Sequence, residues 1–156
     1  MVDSLIYDPV RRKNVPLTPE EKVRQWFIQV LHNDLEVPLE RMGVEVGMKW
    51  GEDISGIGSK SKRKIFRADI VLYGRNSRPV MIVECKEEGV ELGYEVLLQA
   101  TKYGSILSVD FLALTNGLRT IFLRRKVNPE TSSSTYEVMD HAPKWDEINP
   151  GKQSQG

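Results

Sequence analysis

A carboxylate and an amine project together from the end of one predicted strand. Residues 80–86 read Val-Met-Ile-Val-Glu-Cys-Lys, and the period of two along a strand puts Glu84 and Lys86 on the same face. Asp69 lies in the preceding apolar segment, residues 68–73, and a hairpin between the two segments brings Asp69 close to Glu84. Two carboxylates near a core are unfavourable unless a cation neutralises them, and Mg²⁺ suits an oxygen-only site of this kind. Lys86 would then stabilise the charge that develops on a phosphate or help to deprotonate an attacking water.

The same residues also have a purely structural interpretation. Glu84 and Lys86 can form an ordinary ion pair on one face at a strand end, and Asp69 can pair with Arg67 across one residue. The spacing alone leaves the metal site and the structural ion pairs open as alternatives.

Two helices and five main strands are predicted to position these side chains. Thr18 can cap a helix, Pro19 suits its first position, and Glu21 stands where a capping-box acid belongs. Hydrophobic spacing extends this helix to about Leu35. The other predicted elements are strands over 44–50, 68–73, 80–86, 111–115 and 118–124, a helix over 92–107, a two-residue turn at 116–117 and an edge strand over 136–139. This order predicts an α/β fold with a mixed central β-sheet flanked by helices.

Length, composition and charge limit the class of protein. The sequence has 156 residues, of which 40% are hydrophobic and 28% are charged, as expected for one soluble domain. Its 22 basic and 22 acidic residues cancel, which argues against binding nucleic acid by bulk charge. A single cysteine excludes an intramolecular disulfide, and no apolar run reaches the roughly 18 residues of a membrane span. We expect a cytoplasmic protein with its domain over residues 1–127 and a polar, partly disordered extension over 128–156.

Several segments together resemble the PD-(D/E)XK nuclease superfamily. Asp69, followed by Glu84-Cys-Lys86 at the end of the next strand, has the acid, hairpin and Glu-x-Lys order of that superfamily. Gln99-Ala-Thr-Lys-Tyr103 is a Gln-x-x-x-Tyr pattern on the following helix, as in the RecB-like and type I restriction branches. Over about residues 5–125 the sequence is similar to the N-terminal nuclease domain of type I restriction enzyme R subunits. That similarity lies in the segments 7–13, 18–24, 67–71, 82–86 and 114–117.

The resemblance implies a restriction-endonuclease-like core and metal-dependent hydrolysis of DNA phosphodiesters. It implies that Asp69, Glu84 and the backbone carbonyl of Cys85 bind Mg²⁺ or Mn²⁺, and that Lys86 is the catalytic lysine. Glu21 matches an acid on the first helix that reaches the metal through water, and its place in the capping box is the competing interpretation.

Two further residue sets are candidates for contact with DNA, the first from the resemblance and the second from its position in the sequence. Gln99 and Tyr103 are implied to orient the active site or a nearby DNA phosphate, with simple helix packing as the alternative. A basic segment directly before Asp69 is the candidate for phosphate contacts, with a solvated charge run as the alternative. Its members are Lys60, Lys62, Arg63, Lys64 and Arg67.

The resemblance does not extend to a motor. Type I R subunits carry a translocase motor after the nuclease domain, whereas 156 residues leave no room for one and contain no Walker-type loop. We therefore expect a stand-alone Mg²⁺-dependent DNA endonuclease, with DNA and restriction-modification or motor subunits as partners. The alternatives are a nuclease-fold DNA-binding or assembly module that does not cut, and a protein-interaction domain.

Overall fold

The computed structural model of the protein describes residues 4–50 and 64–151, and its main element is a six-stranded sheet. An N-terminal hairpin of β1 (Leu5–Asp8) and β2 (Lys13–Pro16) stands apart from that sheet. The sheet contains, in spatial order, β3 (Met42–Trp50), β4 (Lys64–Tyr73), β5 (Pro79–Cys85), β6 (Phe111–Thr115), β7 (Thr120–Val127) and β8 (Ser134–Val138). Strands β5 and β6 are parallel, and the other neighbours are antiparallel. The predicted mixed α/β architecture is confirmed.

Helix α1 (Pro19–Gln29) covers one face of the sheet. It begins as predicted, because Thr18 Oγ1 accepts a hydrogen bond from the Glu21 N–H at 3.1 Å. After Gln29 the chain continues in a π-helical turn, Val30–Asp34, so helical structure ends close to the predicted limit. Phe27 and Ile28 are fully buried and pack in one cluster with residues of the central strands.

Helix α2 (Tyr94–Leu107) covers the opposite face and connects the parallel strands β5 and β6. A parallel pair needs such a crossover, because its strands run in the same direction. The alternation along β5 divides its side chains as the sequence predicts: Met81 and Val83 join the α1 cluster, whereas Ile82 joins the α2 cluster. Glu84 and Lys86 therefore follow Ile82 on the α2 side of the sheet.

The sheet and its core continue past residue 127. Strand β8 pairs with β7 at the edge, as predicted from 136–139, and a short helix, α3 (Trp145–Ile148), follows. The Ile148 side chain is 1% exposed and belongs to the α1 cluster, so part of the predicted polar extension contributes to the core. Within the described residues, no helix has the length and apolar character to cross a membrane.

The turn between β6 and β7 differs from the prediction. Instead of two residues it contains four, 116–119, between the strand ends Thr115 and Thr120. The Asn116 side chain explains the difference, because its Oδ1 accepts hydrogen bonds from the Leu118 and Arg119 amides at 2.9 and 2.7 Å. An asparagine that caps its own turn stabilises a longer loop than the Asn-Gly pair suggests.

Candidate active site

Four of the predicted site residues line one small cavity on the α2 side of the sheet. Glu84 and Lys86 come from the end of β5, and Gln99 and Tyr103 come from α2. The Lys86 Nζ lies 3.5 Å from Glu84 Oε1, so the predicted ion pair forms inside this cavity. The ion pair between Glu84 and Lys86 is therefore present, and the metal site at these residues stays a prediction.

Phe66 of β4 closes the cavity and was not predicted. Its ring stacks on Tyr103, with the centroids 4.3 Å apart and the planes at 26°. Residues 103 and 66 belong to elements far apart in sequence, so only the packing of α2 on β4 brings the two rings together. The aromatic pair fixes the tyrosine of the Gln-x-x-x-Tyr pattern against the sheet.

The backbone of Lys86 and of the loop that follows it is held by the end of β6 and by the β6–β7 turn. The Lys86 N–H donates to the Thr115 carbonyl at 2.8 Å, which continues the β5–β6 pairing beyond Cys85. Asn116 Nδ2 donates to the Val90 carbonyl at 2.8 Å and so holds the loop that follows Lys86. These contacts give segment 114–117 a physical role beside the site.

Asp69 is buried and accepts hydrogen bonds at both carboxylate oxygens. Oδ1 accepts from Arg24 Nη2 at 3.0 Å, and Oδ2 accepts from the Cys85 N–H at 2.8 Å. Arg67, the alternative partner considered from the sequence, donates instead to the Glu45 carbonyl at 3.0 Å. The predicted pairing of Asp69 with Arg67 is therefore wrong, and the side-chain partner of Asp69 comes from α1.

A chain of alternating charges runs from the N-terminal hairpin to Asp69, and we call it the ion-pair chain. It consists of Asp8, Arg11, Glu21, Arg24 and Asp69. Successive contacts measure 2.5 Å from Arg11 Nε to Asp8, 2.9 Å from Arg11 Nη2 to Glu21, 2.7 Å from Arg24 Nη1 to Glu21 and 3.0 Å from Arg24 Nη2 to Asp69. Hairpin β1–β2 is thus connected to the site.

Glu21 occupies the middle of this chain. Its Oε1 accepts from both arginines, and its Oε2 accepts from Gln25 Nε2 at 3.0 Å. The Glu21 carboxylate therefore forms ion pairs with Arg11 and Arg24, and its implied role at a metal stays a prediction. Glu20, one residue earlier, lies 3.7 Å from Nη2 of Arg24, the same atom that donates to Asp69.

Negative charges concentrate where β4 and β5 meet. Burial, together with the nearby charge of Asp69, raises the pKa of Glu84 to about 7, although Lys86 opposes this effect. Burial and the charge of Asp69 also raise the pKa of Glu20. Burial raises the pKa of the Cys85 thiol, which lies on the α1 side as predicted. The site therefore holds an excess of acids that a cation would relieve.

Comparison with known protein families shows the family of the chain. The sequence matches the family model for the N terminus of the type I restriction enzyme R protein over residues 19–143. The chain belongs to this family.

A solved structure supports the fold of this family member. The chain is similar in structure to a fragment of an HsdR subunit of a type I restriction enzyme from Vibrio vulnificus YJ016, with a TM-score of 0.55 and 21% sequence identity. The match covers 85% of this chain and 24% of that one, so the chain spans about a quarter of that structure's length. No curated protein matches the sequence.

The residues predicted to hold a metal supply oxygen donors, the ligand type that hard divalent cations prefer. Among the described residues, no three His, Cys, Asp or Glu side chains form a metal-binding group by themselves. The predicted set is smaller and consists of Asp69, Glu84 and the Cys85 carbonyl, with water completing the shell, as Mg²⁺ commonly requires. Each carboxylate oxygen has a further lone pair, so the hydrogen bonds to Asp69 do not exhaust its acceptor capacity.

The predicted basic segment is placed only in part. Arg67 is exposed on β4, and Lys64 begins that strand. Three members, Lys60, Lys62 and Arg63, lie outside the described residues.

Strand β4, which contains Lys64 and Arg67, reaches beyond the site. Over residues 64–68 β4 pairs with β3, whereas its pairing with β5 begins at Ile70 and Val83. The β3–β4 hairpin therefore extends past the end of β5, where Glu84 and Lys86 lie.

Proposed function

We propose that the chain is a divalent-metal-dependent DNA endonuclease with a PD-(D/E)XK core. The observation that carries the proposal is the common cavity of Glu84, Lys86, Gln99 and Tyr103, assembled from β5 and α2. The family adds support, because its members are N-terminal parts of a restriction enzyme subunit.

Asp69 and Glu84, with the Cys85 carbonyl, would hold Mg²⁺ or Mn²⁺. When bound, the ion supplies Lewis-acid stabilisation of a phosphate and a more acidic water. The buried position of Glu84 supports this assignment, because a cation removes the unfavourable interaction of its carboxylate with Asp69.

Lys86 would act on the reacting phosphate rather than on the metal. A protonated lysine has three donors and no acceptor, so it binds an anion and not a cation. Its Nζ lies beside Glu84 in the cavity, which places a positive charge next to the carboxylate that would hold the ion. Gln99 would position the same phosphate from α2, and Tyr103 would hold that side of the cavity through its stack on Phe66.

DNA would approach along the extended β3–β4 hairpin. Arg67 is exposed there, and the other basic residues of the segment adjoin it in sequence. A two-stranded ribbon also has dimensions that the major groove of B-DNA admits. We propose that restriction-modification or motor subunits are further partners, because the family is defined on one end of an R protein.

Plasmid nicking tests the activity directly. The protein is incubated with supercoiled plasmid and Mg²⁺ or Mn²⁺, with EDTA as the metal-free reference. We expect nicking by the parent chain and a loss of at least about 100-fold in Asp69→Asn and Glu84→Gln, the scale for removal of an essential group at the reacting centre. Asp110→Asn is the matched control, because Asp110 pairs with Arg125 away from the cavity.

The same assay decides between cutting and binding. A parent chain that shifts plasmid DNA in a gel but nicks it with neither metal would refute the endonuclease. That result would favour the alternative, a nuclease-fold DNA-binding or assembly module that does not cut.

A further inference from the structure

The orientation of Asp69 is fixed by two donors that come from different elements. Arg24 of α1 donates to one oxygen at 3.0 Å, and the Cys85 N–H of β5 donates to the other at 2.8 Å. Because both oxygens are held, the carboxylate cannot rotate without breaking a hydrogen bond. Its orientation is therefore set before any cation binds.

Arg24 is itself held rigidly. Its side chain is 6% exposed, and Nη1 donates to Glu21 Oε1 at 2.7 Å. Glu21 is held in turn by Arg11 and Gln25, and Arg11 reaches Asp8 at the end of β1 and Glu45 on β3. The position of the guanidinium thus depends on the N-terminal hairpin.

Stability gives no strong reason for a buried arginine at this position. Replacing a buried ion pair with apolar residues of similar volume is often neutral or stabilising, because both charges must lose their water. The Arg24 Nε is also buried, and no atom of the described residues 4–50 and 64–151 forms a hydrogen bond with it. A buried polar atom without a partner is unfavourable and calls for an explanation other than packing.

We propose that Arg24 is a positioning residue for Asp69, and that Arg11 and the β1–β2 hairpin act on the site through it. The inference rests on the proposed function, in which Asp69 holds the divalent cation. Groups behind a metal ligand orient it, and their loss typically lowers metal affinity by about 10–100-fold.

A purely electrostatic role for Arg24 predicts the opposite result. A guanidinium beside Asp69 repels a divalent cation, so its removal would tighten metal binding if orientation were unimportant. The sign of the change in affinity therefore separates positioning from simple charge neutralisation.

Mn²⁺ titration of the whole chain without DNA measures this sign. Electron paramagnetic resonance of free Mn²⁺ gives the dissociation constant of the parent, of Arg24→Met and of Arg11→Met. We expect Arg24→Met to weaken binding by about 10–100-fold. Arg125→Met, which breaks the Arg125–Asp110 ion pair elsewhere on the sheet, should leave the dissociation constant within about twofold.

A double variant tests whether Arg11 acts through Arg24. We expect Arg11→Met alone to weaken Mn²⁺ binding by less than Arg24→Met, and the double variant to bind no more weakly than Arg24→Met alone. Additive effects would overturn the role of the hairpin. Unchanged or tighter binding by Arg24→Met would overturn the role of Arg24.

Amide exchange at Cys85 provides a readout that needs no metal. Its N–H is donated to Asp69, so the exchange rate relative to that of Val83 on the same strand reports how firmly Asp69 is held. We expect Arg24→Met to accelerate Cys85 exchange by at least about 10-fold over Val83. Equal acceleration of both amides would indicate general loosening and would overturn positioning.

The two readouts separate the inference from the proposed function. A parent chain that binds no Mn²⁺ refutes the metal-dependent activity, and the Cys85 amide still decides whether Arg24 orients Asp69. If Arg24→Met does not fold, Arg24→Lys takes its place, because it keeps the charge but loses the planar pair of donors. We then expect at least about a 10-fold loss of Mn²⁺ affinity, and parent-like affinity in this variant would overturn the inference.

Discussion

Replacing Glu84 by glutamine should stabilise the metal-free protein at neutral and alkaline pH. The Glu84 side chain is 26% exposed, and burial with the nearby charge of Asp69 raises its pKa from 4.5 to about 7. The folded state therefore binds the proton more tightly than the unfolded state does. Stability linked to this group is fully present below pH 4.5 and is lost as pH rises through 7.

The size of this loss follows from the two pKa values. The interval from 4.5 to about 7 corresponds to about 3 kcal/mol in the free energy of unfolding. Partial exposure and the loss of the Lys86 ion pair in the variant reduce the expected difference to about 1–3 kcal/mol. For a chain of this length that is a difference of roughly 2–10 °C in Tm between Glu84→Gln and the parent at pH 8.

Thermal melts followed by circular dichroism at pH 5, 6, 7 and 8 in EDTA measure the effect. The advantage of Glu84→Gln should be small at pH 5 and should grow with pH up to about 7. Glu95→Gln, on the exposed first turn of α2, controls for the removal of one negative charge. An advantage of the same size at pH 5 and pH 8 would refute the argument that burial disfavours this carboxylate.

Mg²⁺ should reverse the ranking of the two proteins. A cation that binds the folded parent stabilises it by mass action, whereas Glu84→Gln lacks the charged ligand and should gain little. The melts are repeated with Mg²⁺ at about 10⁻² M, which is enough to occupy a weak oxygen-ligand site. If Mg²⁺ raises the Tm of parent and variant equally, Glu84 is not a metal ligand.

Three further predictions address catalysis, stability and DNA contact. Lys86→Ala should reduce the cleavage rate by about 10²–10³ while duplex binding and Tm stay close to those of the parent, because its contact with the phosphate strengthens in the transition state. Normal cleavage by this variant would end the catalytic interpretation of Lys86. Tyr136, whose hydroxyl donates to the Val109 carbonyl and whose pKa burial raises to about 12, should contribute stability below pH 10 that is lost as pH rises through 12. Urea unfolding at pH 8 should show that the free energy of unfolding of Tyr136→Phe is about 1 kcal/mol lower than that of the parent. In urea unfolding at alkaline pH, the variant should lack the fall in the free energy of unfolding that the parent shows as pH rises. In a plot of the logarithm of the duplex-binding constant against the logarithm of the salt concentration, the slope should decrease in magnitude by about 0.9 for each phosphate contact removed. If neutralising the whole basic segment leaves this slope unchanged, the segment does not contact DNA. The substituted residues are Lys60, Lys62, Arg63, Lys64 and Arg67.

The sequence by itself determined the features that depend on local periodicity. Glu84 and Lys86 share a face because side chains alternate along a strand, and the structure places both in one cavity. Gln99 and Tyr103 face the same cavity because residues four apart lie on one side of a helix. The start of α1 could also be predicted from the sequence, because Thr18 caps the helix that follows it.

The partners of these residues depended on tertiary structure. Arg24 is 45 residues from Asp69 in sequence, and a helical pattern does not show which strand its guanidinium will meet. The sequence offered only its neighbour Arg67 as a partner of Asp69, yet Arg67 donates to the backbone of β3 instead. Three buried polar residues on one side of α1, Glu21, Arg24 and Gln25, were the available signal, and their burial becomes visible only once the helix is packed.

The N-terminal hairpin shows the same limit most clearly. The sequence of residues 1–17, with prolines at positions 9 and 16, predicts only a polar lead-in. The structure forms β1 and β2 there, and Asp8 is fully buried because its carboxylate accepts from Arg11 and from the Val10 amide. Local sequence specifies which face a side chain occupies, whereas the register and packing of distant elements decide which charges meet on that face.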